Sequence, residues 1–108
     1  MNKLNIGLIG YGTVGSGVVG FLRKNRKYIQ QKFQADFKIK TICDLRFKSQ
    51  KPKGTGRAHL TTKTQDILQD PDIDVVVELI GGLNPALDIV EEALKNKKHV
   101  VTANKELI

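Results

Sequence analysis

Residues Gly7–Val19 read GLIGYGTVGSGVV, with Gly10, Gly12 and Gly15 spaced as G-x-G-x-x-G, and this stretch decides the fold. The run before it, KLNIGLIG, is short, apolar and closed by glycine, as a buried strand would be. After it, apolar residues recur at Val14, Val18, Phe21 or Leu22, Ile29 and Phe33, which predicts one helix from about Thr13 to Lys32. Each glycine has a task at a strand-to-helix turn. Gly10 permits the tight turn, Gly12 lets the backbone approach a pyrophosphate, and Gly15 lets the helix pack closely on the strand. The N–H groups of Thr13 and Val14 at the helix start then face the phosphate charge. The spacing alone is weak, but here it follows a strand, opens a helix and lies in a βαβ unit.

Downstream, the elements keep alternating. DFKIKTICD places Phe37, Ile39, Thr41 and Cys43 on one side of a second strand. LRFKSQKPKGTGRAHL is polar and basic, with Pro52, Gly54 and Gly56, and reads as a mobile loop. TTKTQDILQD predicts a short helix opened by a threonine cap. DIDVVVELI is a strand of the kind buried on both faces of a parallel sheet. In GGLNPALDIVEEALKNKK, Asn84 is placed as helix cap, Pro85 as first helical residue, and Leu87, Val90 and Leu94 as the inner face. Lysines close that helix, where its dipole favours them, and HVVT is the next strand. The sum is an α/β domain spanning residues 1–108: a doubly wound parallel sheet of the Rossmann type, with three layers α/β/α.

An acidic residue at the end of the second strand should meet the adenosine ribose. Asp44 holds that place, although it stands 29 positions after Gly15 because the first helix is long. Asp44 alone favours NAD, since a carboxylate repels a 2′-phosphate, whereas Arg46, Lys48 and Lys51 favour NADP. The cofactor is therefore NADP or NAD, with the neighbouring positive field tilting the reading to NADP.

Composition narrows the classes. The chain has 108 residues, a net charge of +7 and a single cysteine, so no intrachain disulfide forms and a reducing, cytoplasmic compartment is expected. No signal peptide or membrane-length apolar run is visible. Between Lys38 and Lys63 lie eight basic residues and one acid, Asp44. Such charge suits a nucleic acid, a solvated face or a phosphorylated small molecule. With no RNA-binding aromatic motif or helix-turn-helix, nucleic acid is not expected as a partner. His59 and His99 form neither a metal-ligand pattern nor a pair for Cys43, so no metal is expected and Cys43 reads as a small core residue. Tyr11 is read as facing away from the phosphates, and Glu78 as either reaching solvent or facing the ligand.

Three motifs in order, GYGTVGSG, ELIGG and VVTANK, strongly resemble the N-terminal cofactor-binding half of homoserine dehydrogenase, over essentially the whole chain. The resemblance implies that Gly10 to Gly15 hold the pyrophosphate, that Gly81 and Gly82 lie along the cofactor, and that Thr102 is near the nicotinamide. It also implies that Lys105 stands at the junction of cofactor and substrate, binding substrate and transferring a proton. Family members reduce L-aspartate 4-semialdehyde to L-homoserine with NAD(P)H, on the route to threonine and methionine. They carry a further substrate-binding and dimerisation domain, so the parent is expected to be a homo-oligomer and these residues alone inactive. Lys97 stands where the family often has glycine, a change expected to be harmless. The competing reading is a stand-alone dinucleotide-binding module that senses redox state or regulates a partner.

Overall fold

The computed structural model describes residues 2–80 and 83–102. The strands are β1 (Asn2–Ile9), β2 (Ala35–Cys43), β3 (His59–Thr61), β4 (Val75–Glu78) and β5 (His99–Thr102). The helices are α1 (Thr13–Lys24), α2 (Arg26–Phe33), α3 (Gln65–Leu68) and α4 (Leu83–Lys95). All strand pairs are parallel, in the order β3-β2-β1-β4-β5. The chain moves outward from β1 through β2 to β3 and then returns to the other side of β1. The switch point between β1 and β4 is where such sheets open a crevice at their carboxyl edge. The doubly wound parallel sheet expected from the motif order is therefore present.

Two apolar clusters cover the two faces. Leu8, Ile42 and Val19 pack together beneath α1. Ile9, Cys43 and Val76 pack against Ile67 and Leu68 of α3 and Ile89 and Ala93 of α4. Two helices sit differently from the expected apolar stripes. In α1 the buried residues are Gly15 and Val19, while Val14 and Phe21 are exposed. In α4 they are Ala86, Ile89 and Ala93, while Leu87 and Leu94 are exposed. Each helix is turned by about one residue, so that small side chains meet the sheet. Close approach of the helix backbone recovers packing that bulky residues would hold off.

The single long helix expected from Thr13 to Lys32 is two helices, broken at Asn25. The Asn25 side chain donates to the Phe21 carbonyl at 2.8 Å, and its backbone N–H donates to the same oxygen at 3.0 Å. This back-bonding is the usual way asparagine competes with a continuing helix. α2 then leads into β2 and is tied to its start by Arg26 and Gln30 on Asp36.

In β2 the ladder skips a residue. Ile6 pairs with Ile39, but Gly7 pairs with Thr41, leaving Lys40 as the extra residue. The skip reverses the alternation, as a bulge must. Ile39 packs with Ile42 under α1, and Cys43 faces the other layer, so the four expected residues do not share one side.

The basic loop also holds more order than expected. It opens with a 3-10 turn at Leu45–Lys48 and ends in strand β3, which periodicity could not reveal in three residues. Tyr11 Oη donates to the Lys53 carbonyl at 2.8 Å and Arg23 to the Gly54 carbonyl at 3.2 Å, fixing the loop's middle. Thr64 stands at the N-cap of α3 as expected, but its side chain makes no capping bond; the Thr61 hydroxyl bonds Asp66 and accepts from the Lys63 N–H. α4 begins at Leu83, so Asn84 and Pro85 lie inside its first turn, where proline's missing N–H has no helical partner to lose. Among the described residues, no helix is long and apolar enough to cross a membrane.

Candidate functional site at the carboxyl edge of the sheet

β1 delivers the chain into the glycine turn. Gly10 has φ 102°, a left-handed value that glycine tolerates and a branched residue does not. Its N–H donates to the Cys43 carbonyl at 2.8 Å, locking the turn to the end of β2. A methyl group at Gly15 would run into the Gly10 carbonyl oxygen, so helix and strand meet at a distance only glycine allows. α1 starts at Thr13 with no side-chain cap and no acidic residue in its first turn. Its first N–H groups, those of Thr13 and Val14 included, precede any intrahelical acceptor and are open to an anion. The side chain of Val14 is exposed, so only its main chain bears on this argument.

Asp44 follows β2 and sits across from the turn. One carboxylate oxygen accepts the Tyr11 N–H at 2.8 Å, and the other accepts the Arg46 N–H at 2.9 Å. The Arg46 guanidinium closes on the same carboxylate in a two-pronged pair, at 2.9 Å and 2.6 Å. That guanidinium lies close over Gly12, within 3.4 Å of where a side chain there would begin. Arg46 holds Asp44 well below the usual carboxylate range; burial opposes this, and the two backbone N–H bonds add to it. The carboxylate is 9% exposed and the guanidinium 57%. An ionised, mostly covered acceptor is thus presented beside a solvent-facing cation. The two conflicting signals for the cofactor's ribose are bonded to each other.

These residues form one wall of a cleft of about 860 Å³. Leu79, Ile80, Pro85 and Ile89 line the opposite wall, and Leu45 and Gln65 border it on the β2–β3 side. Its size suits a ligand of cofactor scale. Ile80 was legible as a strand end at this edge, but Leu79, Pro85 and Ile89 were not, because the end of β4 and the inner face of α4 meet there only when the layers pack. Cys43 at the base is buried, and burial, with the nearby Asp44 and Asp66, pushes its thiol up to about 11. It packs as a core residue.

At the end of β4, Glu78 is fully buried, which removes the reading in which it reaches solvent. It accepts the Ile80 N–H at 2.6 Å and the Thr102 hydroxyl at 2.6 Å. Thr102 is thereby placed at the same edge as Gly10 and Asp44, one strand beyond Glu78. Gly81, Gly82 and Lys105 lie outside the described residues.

The family model described as "Homoserine dehydrogenase, NAD binding domain" matches residues 10–108. Homoserine dehydrogenase of Bacillus subtilis strain 168 is 37% identical over 108 residues, covering 100% of this chain and 25% of that protein. The crystal structure of Staphylococcus aureus homoserine dehydrogenase at pH 7.5 superposes with a TM-score of 0.91 and 46% identity, over 100% of this chain and 27% of that one. Levoglucosan dehydrogenase in complex with NADH and L-sorbose superposes with a TM-score of 0.75 and 25% identity, over 94% of this chain and 27% of that one. The chain spans about a quarter of the length of the curated relatives it matches.

Proposed function

This chain belongs to the homoserine dehydrogenase family, as its NAD-binding domain, and from that premise we propose that it holds the nicotinamide dinucleotide for reduction of L-aspartate 4-semialdehyde to L-homoserine. The observation that carries the reading is the convergence of the glycine turn and the Asp44–Arg46 pair on one cleft at the sheet's switch point. The turn fits the group: Gly10 and Gly12 face the cleft without side chains, and the uncapped start of α1 offers N–H donors with no acidic residue in its first turn. When bound, the cofactor supplies the hydride.

The residues of the chain bind and orient. Gly10, Gly12, Thr13, Val14 and Gly15 hold the pyrophosphate by main-chain contacts. Asp44 accepts from the adenosine ribose, and Gly81, Gly82 and Thr102 border the nicotinamide half. Lys105 donates to the substrate oxygen and passes it a proton. The substrate-binding and dimerisation parts belong to a longer, cytoplasmic homo-oligomeric enzyme of threonine and methionine biosynthesis, of which residues 1–108 are the cofactor domain.

NADP is the favoured cofactor. Arg46 presents an exposed guanidinium at the ribose corner and neutralises the carboxylate that would repel a 2′-phosphate. Calorimetric titration of the chain with NADH and NADPH tests the reading, with saturable binding of at least one expected. Failure to bind either overturns it. Arg46→Ala is expected to weaken NADPH more than NADH, on the order of tenfold for one charged hydrogen bond lost. Equal effects would show that Arg46 does not read the phosphate. In the longer enzyme, Lys105→Ala should lower turnover far more than cofactor affinity.

A further inference from the structure

β4 runs Val75-Val76-Val77 and then changes to Glu78, whose side chain has no exposed surface. A buried carboxylate at the end of an apolar strand is costly, and a further valine would continue the strand's packing at lower cost. The oxygens of Glu78 are both engaged, and with groups of two different segments. One accepts from the backbone of Ile80, which leads directly into Gly81 and Gly82. The other accepts from the hydroxyl of Thr102, which leads directly into Ala103, Asn104 and Lys105. Glu78 and Thr102 are register partners on neighbouring parallel strands, so the bond ties the end of β4 to the end of β5. Glu78 is also the register partner of Ile9, the residue before Gly10, and the Leu79 N–H donates to the Ile9 carbonyl at 2.9 Å.

The two halves of this edge have different tasks in a dinucleotide site. Asp44 and Arg46 stand after β2, on the adenosine side of the switch point; β4 and β5 stand on the other, nicotinamide side. We propose that Glu78 is the positioning residue of the nicotinamide half: its buried carboxylate sets the spacing of the β4 and β5 ends at Ile80 and Thr102. Glu78 touches no ligand in this assignment and acts through Ile80 and Thr102. The inference rests on the dinucleotide reading of the cleft.

The test separates the halves of the ligand. Titrations with NADH and with ADP-ribose, which lacks the nicotinamide, are made on the wild type, Glu78→Ala, Glu78→Gln and Thr102→Val. The carboxylate's removal in Glu78→Ala is expected to weaken NADH about tenfold or more while ADP-ribose stays within about twofold. Thr102→Val, which removes one strut and leaves Glu78 in place, should give the same split in smaller measure. Should Glu78→Ala not fold, Glu78→Leu, which fills the volume without an acceptor, decides the matter by the same NADH-specific loss. Glu78→Gln keeps an acceptor for Ile80 and a polar partner for Thr102, and should restore most of the NADH affinity. The fluorescence of bound NADH, which reports the nicotinamide's surroundings, should change in Glu78→Ala and return in Glu78→Gln. Equal losses for both ligands, or no loss of NADH affinity, overturn the role of Glu78 while leaving the site intact. A wild-type chain that binds neither ligand overturns the dinucleotide reading and this inference with it.

Discussion

Asp44 joins two segments that the chain keeps 33 positions apart, accepting the Tyr11 N–H of the glycine turn and the guanidinium of Arg46. Its place at the end of β2 was legible from the fingerprint; its pairing with Arg46 was not. A two-residue separation brings both side chains to one corner only when the backbone makes the 3-10 turn that Asp44 itself caps. The Tyr11 side chain reaches into the basic loop: its hydroxyl donates to the Lys53 carbonyl and its ring lies 6.1 Å from that of Phe47. Gly15 is the residue on which the turn depends most. Gly15→Ala should force the first turn of α1 away from Gly10 and cost about 1–3 kcal/mol, the range for overpacking a close contact. Urea denaturation measures the loss, and an unchanged midpoint would show that the turn can yield.

The ends of elements, more than their interiors, separated expectation from structure. α4 closes in a Schellman arrangement, with the Lys98 N–H on the Ala93 carbonyl and the Lys97 N–H on that of Leu94, both at 3.0 Å. Lys97 occupies the left-handed position of that motif, at φ 61°. A residue with a Cβ is disfavoured there by about 1–2 kcal/mol, and glycine's greater freedom in the unfolded chain returns part of this. Lys97→Gly should therefore raise stability by about 0.5–1 kcal/mol, visible as a higher melting temperature. A lower one would mean that the Lys97 side chain contributes more than the strain removes. Lys98 shows the opposite case. Read as one of the lysines that close α4 at its dipole's favoured end, it is buried, and its ammonium donates to the carbonyls of Asp70 and Ile73, clamping the turn before β4. Neither position can be told from the other in the run NKKH, because the side-chain direction is set by the cap's handedness.

Across the whole molecule, charge is distributed so that acid should loosen it. Asp36 is held below the ordinary carboxylate range by Arg26 and then Gln30, Asp44 by Arg46, and Asp70 by Lys40. A carboxylate with a depressed folded pKa stabilises the native state fully above its unfolded value, near 4, and loses that contribution as pH falls through the folded value. Melting temperature should hold between about pH 7 and 5 and fall below about pH 4. Asp36→Asn should flatten that acid limb; an unchanged limb would mean that other groups govern it. Apart from β3 and the break at Asn25, the alternation of strands and helices was determined by the sequence alone, as were the glycine turn and the acidic residue beyond β2. Periodicity and turn chemistry act between near neighbours in the chain, and those signals are written locally. The tertiary structure decided the rotation of α1 and α4 onto their small residues, the skip at Lys40, the strand β3, the clasp of Asp44 on Arg46 and the burial of Glu78. Each of these depends on how closely distant segments approach, and side-chain volume and hydrogen-bond reach across that gap are settled only when the layers pack.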